Sequence, residues 1–155
     1  MELKELTTAF AAKMGIDGLT VEDGVCSMTI DDIPMDFTET PDGLAVVGVA
    51  VVGEPPPDKR EAFYEMLLQA NTQLYGTQGI ALGESPDTGE IILIGGLPFK
   101  GLELQEFCKD LDEFVSKAEE WRETVENFRP AAEEAAIMEK DASFFGQTNS
   151  GFISV

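Results

Sequence analysis

The sequence contains no histidine, which removes the commonest general base and the commonest transition-metal ligand found in proteins. No serine or cysteine has a histidine partner, so the commonest nucleophilic triads are excluded. The two cysteines, Cys26 and Cys108, are too few for a disulfide framework or for a four-ligand zinc site. Both lie in apolar patterns, so we expect them to be reduced and buried.

Basic residues are also scarce: ten Lys and Arg face thirty Asp and Glu, which gives a formal net charge of −20. Such a field repels phosphate backbones and anionic lipid, so nucleic acid and anionic membranes are poor partners. Taken alone, the acidity is equally well explained as a solubility trait.

Long apolar runs are lacking as well. The longest, 44–53, is too short to span a bilayer, so no membrane insertion is expected. The N-terminal residues alternate charged with apolar side chains, unlike a signal peptide. We therefore expect a cytoplasmic protein.

The first third of the chain predicts one helix followed by three antiparallel strands. Apolar residues at spacings of three and four predict a helix over 2–14, capped by Gly15. Alternation of apolar and polar side chains around Met28 and around Met35 predicts two strands with one wet face. The apolar run 44–52 predicts a central strand buried on both faces, in which Gly48 marks a bulge or a close approach.

The remainder predicts a helix that begins at Asp58, a β-hairpin over 80–95 and a long helix over 101–128. Apolar residues repeat along the long helix with a period of 3.5: Leu104, Phe107, Leu111, Phe114, Ala118, Trp121, Val125 and Phe128. This order indicates an α+β fold, with helices against one face of an antiparallel sheet. We expect one domain over 1–129, then a tail over 130–155 that forms a short helix and is flexible beyond it.

Two acidic motifs are candidates for chemistry. Asp87-Thr88-Gly89 matches the short signature of aspartic proteases, but its place between two strands favours a solvent-facing turn. Asp31-Asp32 with Asp36 suggests calcium, but the spacing of an EF-hand loop is absent and a turn is favoured again. We expect no catalysis, no metal site and no cofactor.

Several residues between 67 and 121 form an ordered set: Leu67-Leu68-Gln69-Ala70-Asn71, Leu74-Tyr75-Gly76, Ile80-Ala81-Leu82-Gly83, Asp87-Thr88-Gly89-Glu90, Ile91-Ile92-Leu93, Leu97-Pro98 and Glu119-Glu120-Trp121. This set resembles the C-terminal half of class I type III secretion chaperones, the Tir chaperone family. The N-terminal helix and strands fit the same layout, so the resemblance covers about 1–128.

The resemblance implies a homodimer without ATPase activity that holds the N-terminal segment of a secreted effector in extended form, secretion-competent. It implies effector contacts on the first helix and early strands, for which we choose Leu3, Leu6, Phe10, Met14, Met28, Met35 and Phe37. For the dimer interface we choose Ile92, Ile94, Leu97 and Phe99. The alternative is a regulatory module on the same fold, which binds a folded partner and escorts no cargo.

Overall fold

A computed structural model describes residues 2–74, 79–99, 101 and 103–148, without the side chains of 74, 131, 132, 134 and 143–148. The elements are α1 (Leu3–Met14), β1 (Thr20–Glu22), β2 (Val25–Ile30), β3 (Ile33–Glu39), β4 (Ala45–Gly53), α2 (Arg60–Leu74), β5 (Ile80–Glu84), β6 (Ile91–Pro98), α3 (Leu104–Glu126) and α4 (Ala131–Thr148). The predicted α+β fold is confirmed, and β1 is an additional strand.

Helix α1 forms where the sequence predicts it. The backbone N–H of Glu2 donates to the Glu5 carboxylate at 3.3 Å, which satisfies one donor at the helix start. Gly15 ends the helix with φ at 67°, a left-handed conformation that glycine adopts without a Cβ penalty. Leu6 and Phe10 are buried against the sheet, so one face of α1 belongs to the core.

The six strands form one antiparallel sheet in the order β1-β2-β3-β4-β6-β5. Strand β4 is central, between β3 and β6, while β1 and β5 are the two edges. The three helices α1, α2 and α3 cover one face, which we call the inner face. The opposite, outer face has no helix upon it among the described residues.

Alternation along the strands separates the two faces. In β3, Ile33, Met35 and Phe37 are buried on the inner face, whereas Asp36 is exposed and accepts a 2.6 Å hydrogen bond from Ser27 on the outer face. Strand β4 alternates in the same way, because its odd-numbered residues 45–53 are only half-buried. The expectation that β4 is buried on both faces is therefore wrong for the single chain, since none of the elements described above covers its outer side.

The heptad-like seam of α3 packs on the sheet as predicted. Phe107, Leu111, Phe114, Ala118 and Val125 are buried on the side of α3 that faces β4 and β6. Apolar residues at this period present one continuous stripe to a partner surface. The seam therefore packs α3 within the chain.

A close approach between α3 and the sheet depends on two glycines. Gly48 of β4 and Gly95 of β6 are register partners, and the ring of Phe114 lies directly over them. A Cβ on Gly48 would lie 3.1 Å from the Phe114 ring, and one on Gly95 would lie 3.0 Å from it. Phe37, the neighbour of Gly48 on β3, meets the same ring edge to face at 6.0 Å. The sequence marked Gly48 as a bulge or close approach, and the structure shows a close approach.

Both acidic motifs form turns, as expected, with Asp36 on the exposed side of β3. Asp31 and Asp32 join β2 to β3 with φ of 48° and 64°, the left-handed pair of a type I′ hairpin. The Asp87-Thr88-Gly89 segment joins β5 to β6, and Gly89 donates its N–H to the Ser85 carbonyl at 2.8 Å. The two cysteines are free and buried, also as expected.

The C-terminal part forms a longer helix than the short one expected within 130–155. Helix α4 runs to Thr148, and its first turn is fastened to the body by an ion pair between Glu133 and Lys59. Residues 135–142 are all exposed. The end of the tail, 149–155, lies outside the described residues.

The contact between Phe114 and the two glycines predicts a local steric effect. Gly95→Ala would place its methyl group 2.8 Å from the Ile80 side chain and 3.0 Å from Phe114, so we expect it to lower the free energy of unfolding by about 1–3 kcal/mol. Urea denaturation measures this. Gly96→Ala is the matched control, because open space surrounds that position. Equal stability of the two variants would contradict the proposed role of the contact.

Candidate functional site

The structure buries most of the predicted effector contacts within the single chain. Leu3, Leu6, Phe10, Met28, Met35 and Phe37 are at most 5% exposed, and they pack together between α1 and the inner face. Met14, at the end of α1, is 49% exposed. Of the seven, Met14 therefore presents the largest accessible surface, and contact of this set with a partner stays a prediction.

The predicted dimer residues divide between the two faces of β6. Leu97 and Phe99 are buried on the inner face, at 7% and 8% exposure. Ile94 is 36% exposed and Ile92 is half-buried, both on the outer face. Only Ile92 and Ile94 are thus placed where a second chain reaches them without rearrangement.

An open groove of about 500 Å³ lies between the start of α1 and the turn from β1 to β2. Its lining includes three buried apolar side chains, namely Leu3 of α1, Cys26 of β2 and Phe99 just after β6. Charged residues lie around it: Glu2, Lys4, Asp23 and Glu39. An apolar floor with a charged rim suits an apolar side chain carried on a polar, extended peptide.

Further apolar side chains reach the surface along 14–21, from the end of α1 to β1. Val21 lines the groove and is 38% exposed at the centre of β1. Ile16 and Leu19, in the connection from α1 to β1, are only partly buried against the core. With Met14 they form what we call the N-terminal apolar surface: Met14, Ile16, Leu19 and Val21. The sequence analysis missed the last three, because a connection and a three-residue strand show no periodicity.

The exposed strand β1 borders this surface. All three of its residues are exposed, and it pairs on one side only, with β2. Such an edge offers unpaired backbone donors and acceptors to an added strand. The groove, the N-terminal apolar surface and the β1 edge together form the candidate binding site.

A second apolar area lies on the outer face, where β4 pairs with β6. Val49 is opposite Ile94 and Val51 is opposite Ile92, and Val47 continues the row along β4. We call these five residues the outer-face patch. Towards β3 the same face becomes polar, since Val49 neighbours Asp36. A wet sheet face is ordinarily polar, so the patch marks a surface suited to contact with another chain.

Acidic side chains crowd the surface at the β2–β3 turn. Glu119 of α3 lies beside Asp31, and a hydrogen bond between the two carboxyl groups raises the pKa of Glu119, with desolvation and the Asp31 charge adding to the effect. Arg122, which donates to the Asp31 carbonyl, acts in the opposite direction. Elsewhere, the hydrogen bond from Thr40 and then the N–H of Leu44 lower the pKa of Asp42 in its turn.

The described part of the chain offers no group of three or more Cys, Asp or Glu side chains arranged to hold a metal ion. Within the same residues, no helix has the length and hydrophobicity needed to cross a bilayer. The candidate site is therefore built from apolar side chains and backbone groups.

Comparison with known proteins begins with the sequence. The model of the Tir chaperone protein (CesT) family matches residues 5–122, from α1 almost to the end of α3. No match was found among curated protein sequences. Helix α4 lies outside the matched range.

Solved structures show the same fold. A chain of the ExsC–ExsE complex superposes with a TM-score of 0.65 at 18% identity, over 85% of this chain and 99% of that one. A chain of the HopA1–SchA chaperone–effector complex gives 0.60 at 20% identity, over 77% and 92%. The Yersinia pestis type III secretion chaperone SycH, solved in complex with a fragment of YscM2, gives 0.52 at 19% identity, over 74% and 94%.

The carboxyl pair of Glu119 and Asp31 predicts a pH-dependent stability. Because the pKa of Glu119 is raised above its ordinary value of 4.5, the folded chain holds this proton more tightly than the unfolded chain does. The pair therefore lowers the free energy of unfolding as pH rises from 4.5 through the raised pKa. We expect Glu119→Gln to raise the urea midpoint more at about pH 7 than at about pH 4.

Glu123→Gln, which removes an exposed carboxylate one turn further along α3, is the control for loss of a charge alone. An increase in urea midpoint that is equal in both variants, or that does not depend on pH, would show that the contact between Glu119 and Asp31 has no specific effect on stability.

Proposed function

This chain belongs to the Tir chaperone protein (CesT) family, and we propose that it is a cytoplasmic bacterial chaperone that binds the extended N-terminal segment of a type III secreted effector. The observation that carries the proposal is the family match over 5–122. The matched range contains the candidate site except Glu2, Leu3 and Lys4, which line the groove from the start of α1. The fold is shared with chains solved in chaperone–effector complexes, which agrees with it.

Binding of an extended segment needs apolar contact, because the segment loses conformational freedom when it is ordered. The groove and the N-terminal apolar surface supply such contact for alternate side chains of the segment. The β1 edge supplies backbone hydrogen bonds to the same segment, the mode of recognition known as β-augmentation. Val21 belongs to the groove lining, to the N-terminal apolar surface and to β1, so an extended stretch of chain along β1 meets all three features.

The proposed activity requires binding alone. A chain without histidine, with free buried cysteines and with turn-forming acidic motifs has little equipment for catalysis, and family membership agrees with a non-enzyme. The net charge of −20 keeps a protein soluble while it presents apolar surface. No nucleotide or other cofactor enters the proposal.

We also propose that the protein is a homodimer, and that the outer-face patch lies in the interface. Ile92 and Ile94 belong to this patch, whereas Leu97 and Phe99 lie beneath it, on the inner face. An apolar sheet face that none of the described helices covers is stabilised by burial against a second copy, at about 25 cal/mol per Å² of apolar surface.

The chaperone proposal predicts which protein accompanies this chain. Affinity purification from the native host, followed by mass spectrometry, is expected to recover a secreted protein through its N-terminal segment. Val21→Glu places a charge where the groove, the N-terminal apolar surface and β1 meet, and we expect it to weaken retention of that protein by about tenfold or more.

Met138→Glu, on an exposed part of α4 away from the candidate site, is the matched control and should retain the partner fully. Recovery of folded proteins only, with no secreted one, would overturn the proposed function. Equal retention of the partner by Val21→Glu and Met138→Glu would instead show that the partner does not bind at the candidate site.

The dimer proposal predicts the mass of the protein in solution. Light scattering is expected to give twice the chain mass of 16.8 kDa for the wild type. Ile94→Glu is expected to give the mass of one chain, because dimerisation would bury its charge in the proposed interface. Met138→Glu is again the control and should remain a dimer. A monomeric wild type, or a dimeric Ile94→Glu variant, would contradict this interface.

A further inference from the structure

The two edges of the sheet differ in how their outward-facing backbone groups are satisfied. In β5, Ala81 and Gly83 are paired with Ile94 and Ile92, and the ladder continues to a 2.8 Å bond from Ser85 to Glu90. In an antiparallel pair, alternate residues direct their N–H and C=O groups to the neighbouring strand and away from it. Leu82, between Ala81 and Gly83, therefore directs both of its groups away from β6.

Asn71 of α2 meets both of these groups. Its side-chain nitrogen donates to the Leu82 carbonyl at 2.9 Å, and its side-chain oxygen accepts from the Leu82 N–H at 2.7 Å. An extended residue of a further strand would offer the same donor and the same acceptor to Leu82. The Asn71 amide thus stands in for one residue of a strand at the centre of the five-residue edge.

Helix α2 is held in place to do this. Phe63 and Leu67 are buried beneath it, and the Tyr64 hydroxyl donates to the Glu84 carboxylate of β5 at 2.8 Å. From Tyr64 to Asn71 the helix makes about two turns, so it runs alongside the strand at both contacts.

We propose that Asn71 closes the β5 edge to strand pairing, and that the strand it excludes is the β5 edge of a second copy of this chain. Two copies of β5 pair antiparallel about Leu82, which makes the contact symmetrical and available to every copy in solution. The residues at this edge favour such pairing, because Ile80, Ala81, Leu82 and Gly83 carry no charge. Exclusion of a strand here goes beyond the proposed binding of an effector and does not depend on it.

The same two hydrogen bonds also fasten α2 to the sheet, and the test has to separate fastening from exclusion. Asn71→Ala removes both bonds, so under either view the Leu82 amide should exchange its hydrogen about tenfold faster in protein dilute enough that copies do not associate, as loss of one such bond implies. Only the proposal that Asn71 excludes a second β5 edge predicts that copies of the Asn71→Ala variant associate. Sedimentation velocity across a dilution series should then show species heavier than the wild type, increasing with concentration.

A second-site variant tests whether that association uses the β5 edge. Ala81 is exposed on β5, and Ala81→Lys in the Asn71→Ala background brings two like charges together whenever two β5 edges pair. We expect the double variant to return to the wild-type mass while its Leu82 amide still exchanges fast. If Asn71 only fastens α2 to the sheet, the added lysine should not change the mass of the Asn71→Ala variant.

Thr72→Ala is the control on α2, because the Thr72 side chain is exposed and its hydroxyl bonds within its own helix. Wild-type mass for Asn71→Ala at every concentration would overturn the proposal, as would association that Ala81→Lys leaves unchanged. If Asn71→Ala does not fold, Asn71→Ser decides: its side chain stays polar but is one atom shorter, so it no longer reaches both Leu82 groups. Association of that variant supports the proposal, and an unchanged mass overturns it.

Discussion

The contact of Phe114 with the glycine pair sets the distance between helix and sheet, and other features of the fold follow from that distance. One row crosses the inner face in register, from Cys26 through Phe37, Gly48 and Gly95 to Ile80. Phe37 and Ile80 flank the two glycines, which have no side chains, and the resulting notch is filled by the Phe114 ring. With α3 set into this notch, the inner face becomes a close-packed core, and the outer face is left without a helix.

The division into two faces explains where partners are expected. Helices α1, α2 and α3 all pack on the inner face. The apolar residues of β4 and β6 that point outward therefore remain accessible. The N-terminal apolar surface is accessible for a different reason, because β1 is short and its neighbour α1 ends at Met14. The two surfaces belong to different parts of the sheet, so a second copy and an extended segment need not compete.

Much of the fold could be predicted because its elements repeat with clear periods. The apolar repeat of α3 and the alternation in β2 and β3 each predict which side of the element faces the core, and the predicted sides are buried in the structure. The candidate site could be predicted less well. Leu6, Phe10 and Phe37 were assigned to effector binding, yet periodicity identifies an apolar face without stating whether the chain itself or a partner covers it. Val21 was missed since β1 is too short to show a period.

The edges of the sheet could not be predicted either, because the hydrogen bonds of Asn71 join residues eleven apart through tertiary structure. Every antiparallel sheet that is not a barrel has two edges, and an uncontrolled edge promotes aggregation. Here one edge meets an amide from the adjacent helix, while the other, β1, is exposed beside an apolar groove. A chaperone that recognises extended chains benefits from this asymmetry. In the proposed mode of binding one edge accepts a strand, and a second such edge would let copies of the protein pair with one another instead.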